Sequence, residues 1–261
     1  MKRIASADNA RYKTLLKLAH SSRERRKAGL SLLDGIHLIS AYCDHVGMPE
    51  QVAVSAAAFE RAEVQNLLKT LQPVEALLLT DALFGPLSTV ETPTGVVAAV
   101  KTPRPPALPH AIESCVMLEG IQDPGNLGSI LRSAAAAGIK QVFLSVGSVH
   151  AWSPRVLRAG MGAHFMLQIF EQADLPVLAG GFNGRVIATS QRAKKTIFGA
   201  DLTGRIALVL GNEGAGLSQA LANAAHEVVA VPMPGKIESL NVAATAAICM
   251  FERVRQLQQG V

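Results

Sequence analysis

Three segments of the chain combine polar side chains with glycines and prolines that bring backbone close to a ligand. The first is EGIQDPGNLGSILRSAAAAG, residues 119–138. Asp123, Pro124 and Gly125 mark a turn, and Asn126 reads as the N-cap of an alanine-rich helix ending at Gly138. Arg132 follows six residues later, less than two helical turns along, within reach of a long side chain. Taken alone, the two read more simply as a cap and a surface cation.

The second segment is LVLGNEGAGLS, residues 208–218. Gly211, Gly214 and Gly216 permit positive φ and close approach, while Asn212 and Glu213 offer polar groups at a strand end. The pattern is neither G-x-G-x-x-G nor a loop ending in Lys and Ser/Thr, which argues against nicotinamide and ATP chemistry. The third is VPMPGKIESLNVAATAAICMFERVRQ, residues 231–256. Pro232, Pro234 and Gly235 stiffen and bend a loop, and Ser239 is expected to cap a long helix beginning near Asn241. Ala243, Ala244, Ala246 and Ala247 give that helix a small-residue surface, suited to close packing in the core or against a second copy of the chain.

The elements that must position these loops are short apolar runs: 115–121, 141–146, 185–190, 206–211 and 227–232, alternating with helical pieces. That alternation predicts a parallel sheet covered on both faces, with ligands gathered beyond the carboxyl ends of its strands. Four prolines in KTPRPPALPH, residues 101–110, place a domain boundary there. Ahead of it, a basic helix over 8–28, the runs 51–56 and 95–100 and a helix over 63–71 predict a small α/β module.

The chain has 261 residues, 49% hydrophobic and 17% charged, which excludes a mostly disordered protein. It has no apolar run of about 18 residues and no apolar stretch in its basic start that would read as a leader, so a cytoplasmic protein without a membrane anchor is expected. Cys43, Cys115 and Cys249 are far apart and show no metal-ligand spacing, so neither disulfides nor a metal site is expected. The net charge of +5 is concentrated: residues 1–30 hold nine cations against Asp8 and Glu24. Local cations collect a polyanion by counterion release, which makes nucleic acid the leading partner, with a merely solvated basic helix as the alternative. Aromatics are 4% of the chain, too few for a base-stacking platform, so backbone and shape contacts are expected.

Taken in order, the three segments resemble the signature motifs of the SpoU/TrmH-type RNA ribose 2′-O-methyltransferases of the SPOUT superfamily. Asn126, Gly128 and Arg132 match N-x-G-x-x-x-R, Gly211 to Gly216 match the glycine loop, and Val231 to Val242 match the proline-bearing third motif. Departures are small: Glu119 replaces a frequent Asp, and Ala243 stands where Ser is common. The stretches IASADNARYKTLLKL and LLDGIHLI are similar to the ribosomal-protein-like substrate-binding domain carried by many members. The resemblance implies an α/β architecture with a trefoil-knotted parallel-sheet methyltransferase domain (105–261) preceded by a small α/β RNA-binding domain (1–104).

It further implies S-adenosyl-L-methionine as cofactor, held around Leu210, Gly211, Val231, Met233, Leu240 and Asn241, and a catalytic set of Asn126, Arg132, Glu213, Ser239 and Asn241. A homodimer through the C-terminal domain is implied as well. RNA contacts are expected from Arg11, Lys13, Lys17, Arg23, Arg25, Arg26 and Lys27, with no DNA partner. An appended substrate domain favours 23S rRNA over tRNA. A tRNA enzyme and a non-catalytic ribosome-assembly protein on the same scaffold are the alternatives.

Overall fold

Most strands form from leucine-, valine- and isoleucine-bearing runs bounded by turn residues. In a computed structural model of the chain, residues 1–88, 93–103, 107–109 and 111–259 are described. The boundary expected at 104 therefore lies outside the described residues. The chain packs as two units, one formed by Met1–Pro103 with Trp152–Phe165 and the other by the remaining described residues. The segment 152–165, expected in the second domain, thus belongs to the first unit.

The first unit holds a five-stranded sheet of β1 (Lys2–Ile4), β2 (Leu30–Asp34), β3 (Gln51–Ser55), β4 (Ala76–Leu79) and β5 (Val96–Lys101). The order is β1-β4-β3-β5-β2; β1 and β3 run parallel to β4, whereas β5 runs antiparallel to β3 and β2. The single basic helix expected over 8–28 is two helices, Ala10–His20 and Ser22–Ala28. Ser21 divides them, because its hydroxyl accepts the Glu24 N–H at 3.1 Å and starts a new helix. Tyr12, Leu15, Leu18 and Ala19 recur at helical spacing and bury against Ile4, Leu32, Leu77 and Leu79. From 152–165, the helix Pro154–Gly160 packs near β2, and Phe165 meets Tyr42 edge-on at 5.4 Å.

The second unit is the parallel sheet its alternation predicts, extended by two strands that local pattern did not mark. Its strands are β6 (Cys115–Leu118), β7 (Gln141–Ser145), β8 (Gln168–Ala173), β9 (Arg185–Thr189), β10 (Lys195–Thr196), β11 (Ile206–Leu210) and β12 (Glu227–Ala230). All neighbours are parallel in the order β10-β12-β9-β11-β6-β7-β8. Every residue of β6 and β11 is buried, which is why these strands are apolar without alternation.

The helices Pro124–Ala136 and Val242–Gln259 pack against each other. Ala243 and Ala246 face the core beside Cys249 and Met250, whereas Ala244 and Ala247 stay half-buried. Arg253 anchors the final helix by donating to the carbonyls of Leu202 at 2.6 Å and Gly204 at 3.0 Å and to the Ser114 hydroxyl at 2.9 Å.

Candidate active site

Because β6, β9, β11 and β12 are parallel, the segments that follow them emerge at one edge of the sheet. There they enclose an open cleft of about 1030 Å³. Its size is at the upper end of small-ligand sites, roughly 300–1,000 Å³.

The first segment is capped differently from expectation. Asp123, not Asn126, is the N-cap of Pro124–Ala136, with its carboxylate accepting the Asn126 N–H at 2.7 Å. Proline fits the first helical position, where no N–H is needed, so the helix starts three residues earlier than expected. The Asn126 side chain is thereby released from capping and donates from Nδ2 to Glu213 Oε1 at 3.2 Å.

The second segment is tied to the first by three hydrogen bonds that involve a side chain. Besides the Asn126–Glu213 bond, Asn212 Nδ2 donates to the Gly120 carbonyl at 2.7 Å, and the Ser218 N–H donates to Glu119 Oε2 at 2.7 Å. Asn212 Oδ1 also accepts the N–H groups of Gly214 and Ala215, both at 2.9 Å. Of the three glycines expected to use positive φ, only Gly216 does, at +71°. Gly211 is required for a different reason: a Cβ there would lie 2.4 Å from the Gly216 carbonyl carbon and oxygen.

The third segment begins its helix at Val242, and Asn241 rather than Ser239 caps it, accepting the Ala244 N–H on Oδ1 at 2.7 Å. Ser239 lines the cleft two residues earlier.

Asn126, Glu213, Ser239 and Asn241 therefore share one cleft, together with Gly211, Val231, Met233 and Leu240 of the expected cofactor set. Leu210 does not line it: its side chain is buried in β11 and its carbonyl accepts the Glu119 N–H at 2.9 Å. Arg132 also lies outside the lining, exposed on the Pro124–Ala136 helix. At 100° per residue, six positions turn it away from the face that carries Asn126. Local reasoning missed Asp123 as the cap, the Glu119 and Asn212 ties, and the residues from Ala188 to Ala193, which wall the cleft after β9. The last of these had a signal, since 185–190 was read as a strand and ligands gather beyond strand carboxyl ends.

The donor set suits S-adenosyl-L-methionine. Bare backbone at Gly211 with Val231, Met233 and Leu240 offers an uncharged slot for an adenosyl group, and the carboxylates of Glu213 and Glu238 in the same lining favour a sulfonium cation. Among the described residues no group of three His, Cys, Asp or Glu side chains could hold a metal.

Of the seven basic residues expected to meet RNA, Arg25 is buried. Its guanidinium donates to the carbonyls of Leu18 at 2.6 Å and Ala19 at 3.3 Å, closing the end of the first helix. Arg11 pairs with Glu75, and Lys13 with Asp8 at 2.8 Å. Lys17, Arg23, Arg26 and Lys27 are exposed.

The second unit is a fully parallel sheet with a cleft shaped by glycine and proline loops that lack the dinucleotide pattern, and the first unit bears exposed cations. Residues 113–251 match the SpoU rRNA methylase family and residues 9–98 an MRM3-like substrate binding domain. The chain belongs to the SpoU rRNA methylase family, whose methyl donor is S-adenosyl-L-methionine.

It is 30% identical over 254 residues to the 23S rRNA (guanosine(2553)-2′-O)-methyltransferase RlmP of Bacillus subtilis, covering 96% of this chain and 98% of that one. It is 32% identical over 260 residues to an uncharacterized tRNA/rRNA methyltransferase of Synechocystis, covering 97% and 93%. Among solved structures, the SpoU methyltransferase AviRb of Streptomyces viridochromogenes in complex with AdoMet superposes with a TM-score of 0.83 at 28% identity, covering 97% of this chain and 100% of that one.

Proposed function

We propose that the protein transfers the methyl group of S-adenosyl-L-methionine to a ribose 2′-hydroxyl of 23S rRNA. The observation that carries this reading is the convergence of Asn126, Glu213, Ser239 and Asn241 on one backbone-formed cleft. The bound donor supplies an electrophilic methyl on a sulfonium, and the chain must place a hydroxyl in line with it and accept the developing charge.

Asn126, held by Glu213, orients the polar group that enters between the first two loops. Asn241 fixes the third loop through its cap, and Ser239 presents a hydroxyl to the same space. Arg132 is a poor base, because a guanidinium has no acceptor site and a pKa above about 12. From its exposed position outside the cleft lining it is assigned the target phosphate, which a guanidinium grips without acting as a base. The trefoil path of the cofactor loops is part of this reading.

The 23S rRNA target is supported by the first unit, with its exposed Lys17, Arg23, Arg26 and Lys27, and by the full-length relatives named for rRNA. A solved structure concerned with tRNA aligns with 57% of this chain only. Dimerisation through the second unit is supported by the half-buried Ala244 and Ala247 and by Phe251, 47% exposed on the same final helix. No described helix is long and apolar enough to cross a membrane, and we place the protein in the cytoplasm with its substrate.

Incubation of purified protein with methyl-labelled donor and either 23S rRNA or tRNA, followed by mapping of 2′-O-methyl sites, tests the reading. Incorporation into a 23S ribose is expected. Incorporation into tRNA alone overturns the target, and incorporation into neither overturns the activity.

A further inference from the structure

The cleft has a second charged end that the catalytic set does not use. After β9 the chain runs Ser190-Gln191-Arg192-Ala193-Lys194 before β10 begins. Residues 190–193 line the cleft, and among its described lining residues Arg192 is the only lysine or arginine. The local fold holds this turn in place: the Ser190 N–H donates to the Val229 carbonyl at 2.9 Å, the Ala193 N–H to the Ser190 carbonyl at 3.2 Å, and the Arg192 N–H to the Ser190 hydroxyl at 3.3 Å. Its backbone is thus anchored at the sheet while the side chains of Arg192 and Lys194 are exposed.

Two cations on the neighbouring strands are already committed. Lys195 pairs with Glu227, and Arg185 pairs with Glu227 at 2.7 Å and with Asp201 at 3.1 Å. The guanidinium of Arg192 and the ammonium of Lys194 make no hydrogen bond or ion pair with another described residue. A guanidinium left unpaired at the mouth of a cleft, two residues from a second unpaired cation outside it, fits an anion that continues beyond the cleft. A small ligand enclosed by the loops would leave Lys194 unused. Two successive cations on a backbone-anchored turn suit a polyanion running past the mouth.

We propose that Arg192 and Lys194 form a phosphodiester clamp that holds the RNA strand beside the cleft, a positioning contact in the methyltransferase unit distinct from the basic helices of the first unit. The proposal rests on the reading of the protein as an RNA methyltransferase.

The test is equilibrium binding of a 23S rRNA fragment that wild-type protein methylates, measured across a salt series, with donor affinity followed separately by calorimetry. Arg192→Ala weakens RNA binding about tenfold and lowers the salt slope by about one; the double variant with Lys194→Ala lowers it by about two. Arg192→Lys retains most of the slope, because a point charge still meets phosphate. RNA KM rises more than kcat falls, and donor affinity is unchanged. An unchanged salt slope in both alanine variants overturns the clamp. Weakened donor binding with unchanged RNA binding also overturns it, assigning Arg192 to the donor's carboxylate. Wild-type protein that binds no RNA at any salt overturns the functional reading itself, a result distinct from either.

Discussion

Asn126 Nδ2 donates to Glu213 Oε1 at 3.2 Å, joining the first turn of one helix to a glycine loop 87 residues later. The bond exists because Asp123 takes over the cap and leaves the amide free. Two side chains sharing one contact act as a unit. Asn126→Ala and Glu213→Ala should each reduce single-turnover methyl transfer, and the double variant should be less impaired than the sum of the two, with a coupling of about 0.5–3 kcal/mol. Additive losses would show that the two side chains act independently.

Gly211 is fixed by space. A methyl group at that position meets the Gly216 backbone at 2.4 Å, where nothing flexible can give way. Gly211→Ala should cost about 1–3 kcal/mol in urea unfolding and abolish donor binding in calorimetry. Gly180→Ala, where an added Cβ meets nothing within 4 Å, is the control and should stay within about 0.5 kcal/mol of wild type.

Arg132 is exposed and outside the cleft lining, so its loss should disturb neither fold nor donor site. Arg132→Ala is expected to lower turnover by roughly 10², the scale of a misplaced substrate, with melting temperature and donor affinity unchanged. Near-normal turnover would remove Arg132 from the mechanism.

Two cations of the Ser22–Ala28 helix, its fourth and sixth residues, separate structure from binding. Arg25 is 5% exposed and closes two helix carbonyls, so Arg25→Ala should lose about 2 kcal/mol of stability. Lys27 is exposed, and Lys27→Ala should leave stability within about 0.5 kcal/mol while weakening RNA binding in low salt. Equal stability losses in the two variants would contradict this division.

Burial pushes the thiols of Cys115 and Cys249 up from 9.0 to about 12. Between those values the unfolded chain releases protons that the folded chain retains, so stability falls as pH rises through that window and is unaffected by these groups below it. The expected slope is about 1.4 kcal/mol per pH unit for each thiol. Urea midpoints measured from pH 8 to 11 should bend downward above pH 9, and Cys249→Ala should shallow the bend. An identical slope in that variant would rule out its thiol as a source.

The sequence by itself determined the buried parallel strands, because residues covered on both faces must be apolar throughout. It also determined the three glycine- and proline-bearing loops, because their residue types are set by backbone needs within a few positions. Those local rules carried the family resemblance and most of the cleft lining. Tertiary structure decided what depends on distant partners. The freed Asn126 amide finds its partner in Glu213 of the loop after β11, and the wall after β9 joins the cleft only because β9 lies beside β11. Arg25 is withdrawn from the basic surface by the carbonyls of a preceding helix whose end Ser21 sets. Arg132 is turned out of the cleft by a helix that starts two residues earlier than Asn126. Pattern within a few residues reports which backbone a segment adopts; where its side chains finish depends on the order in which strands pair, and that order is written in contacts nearly a hundred residues apart.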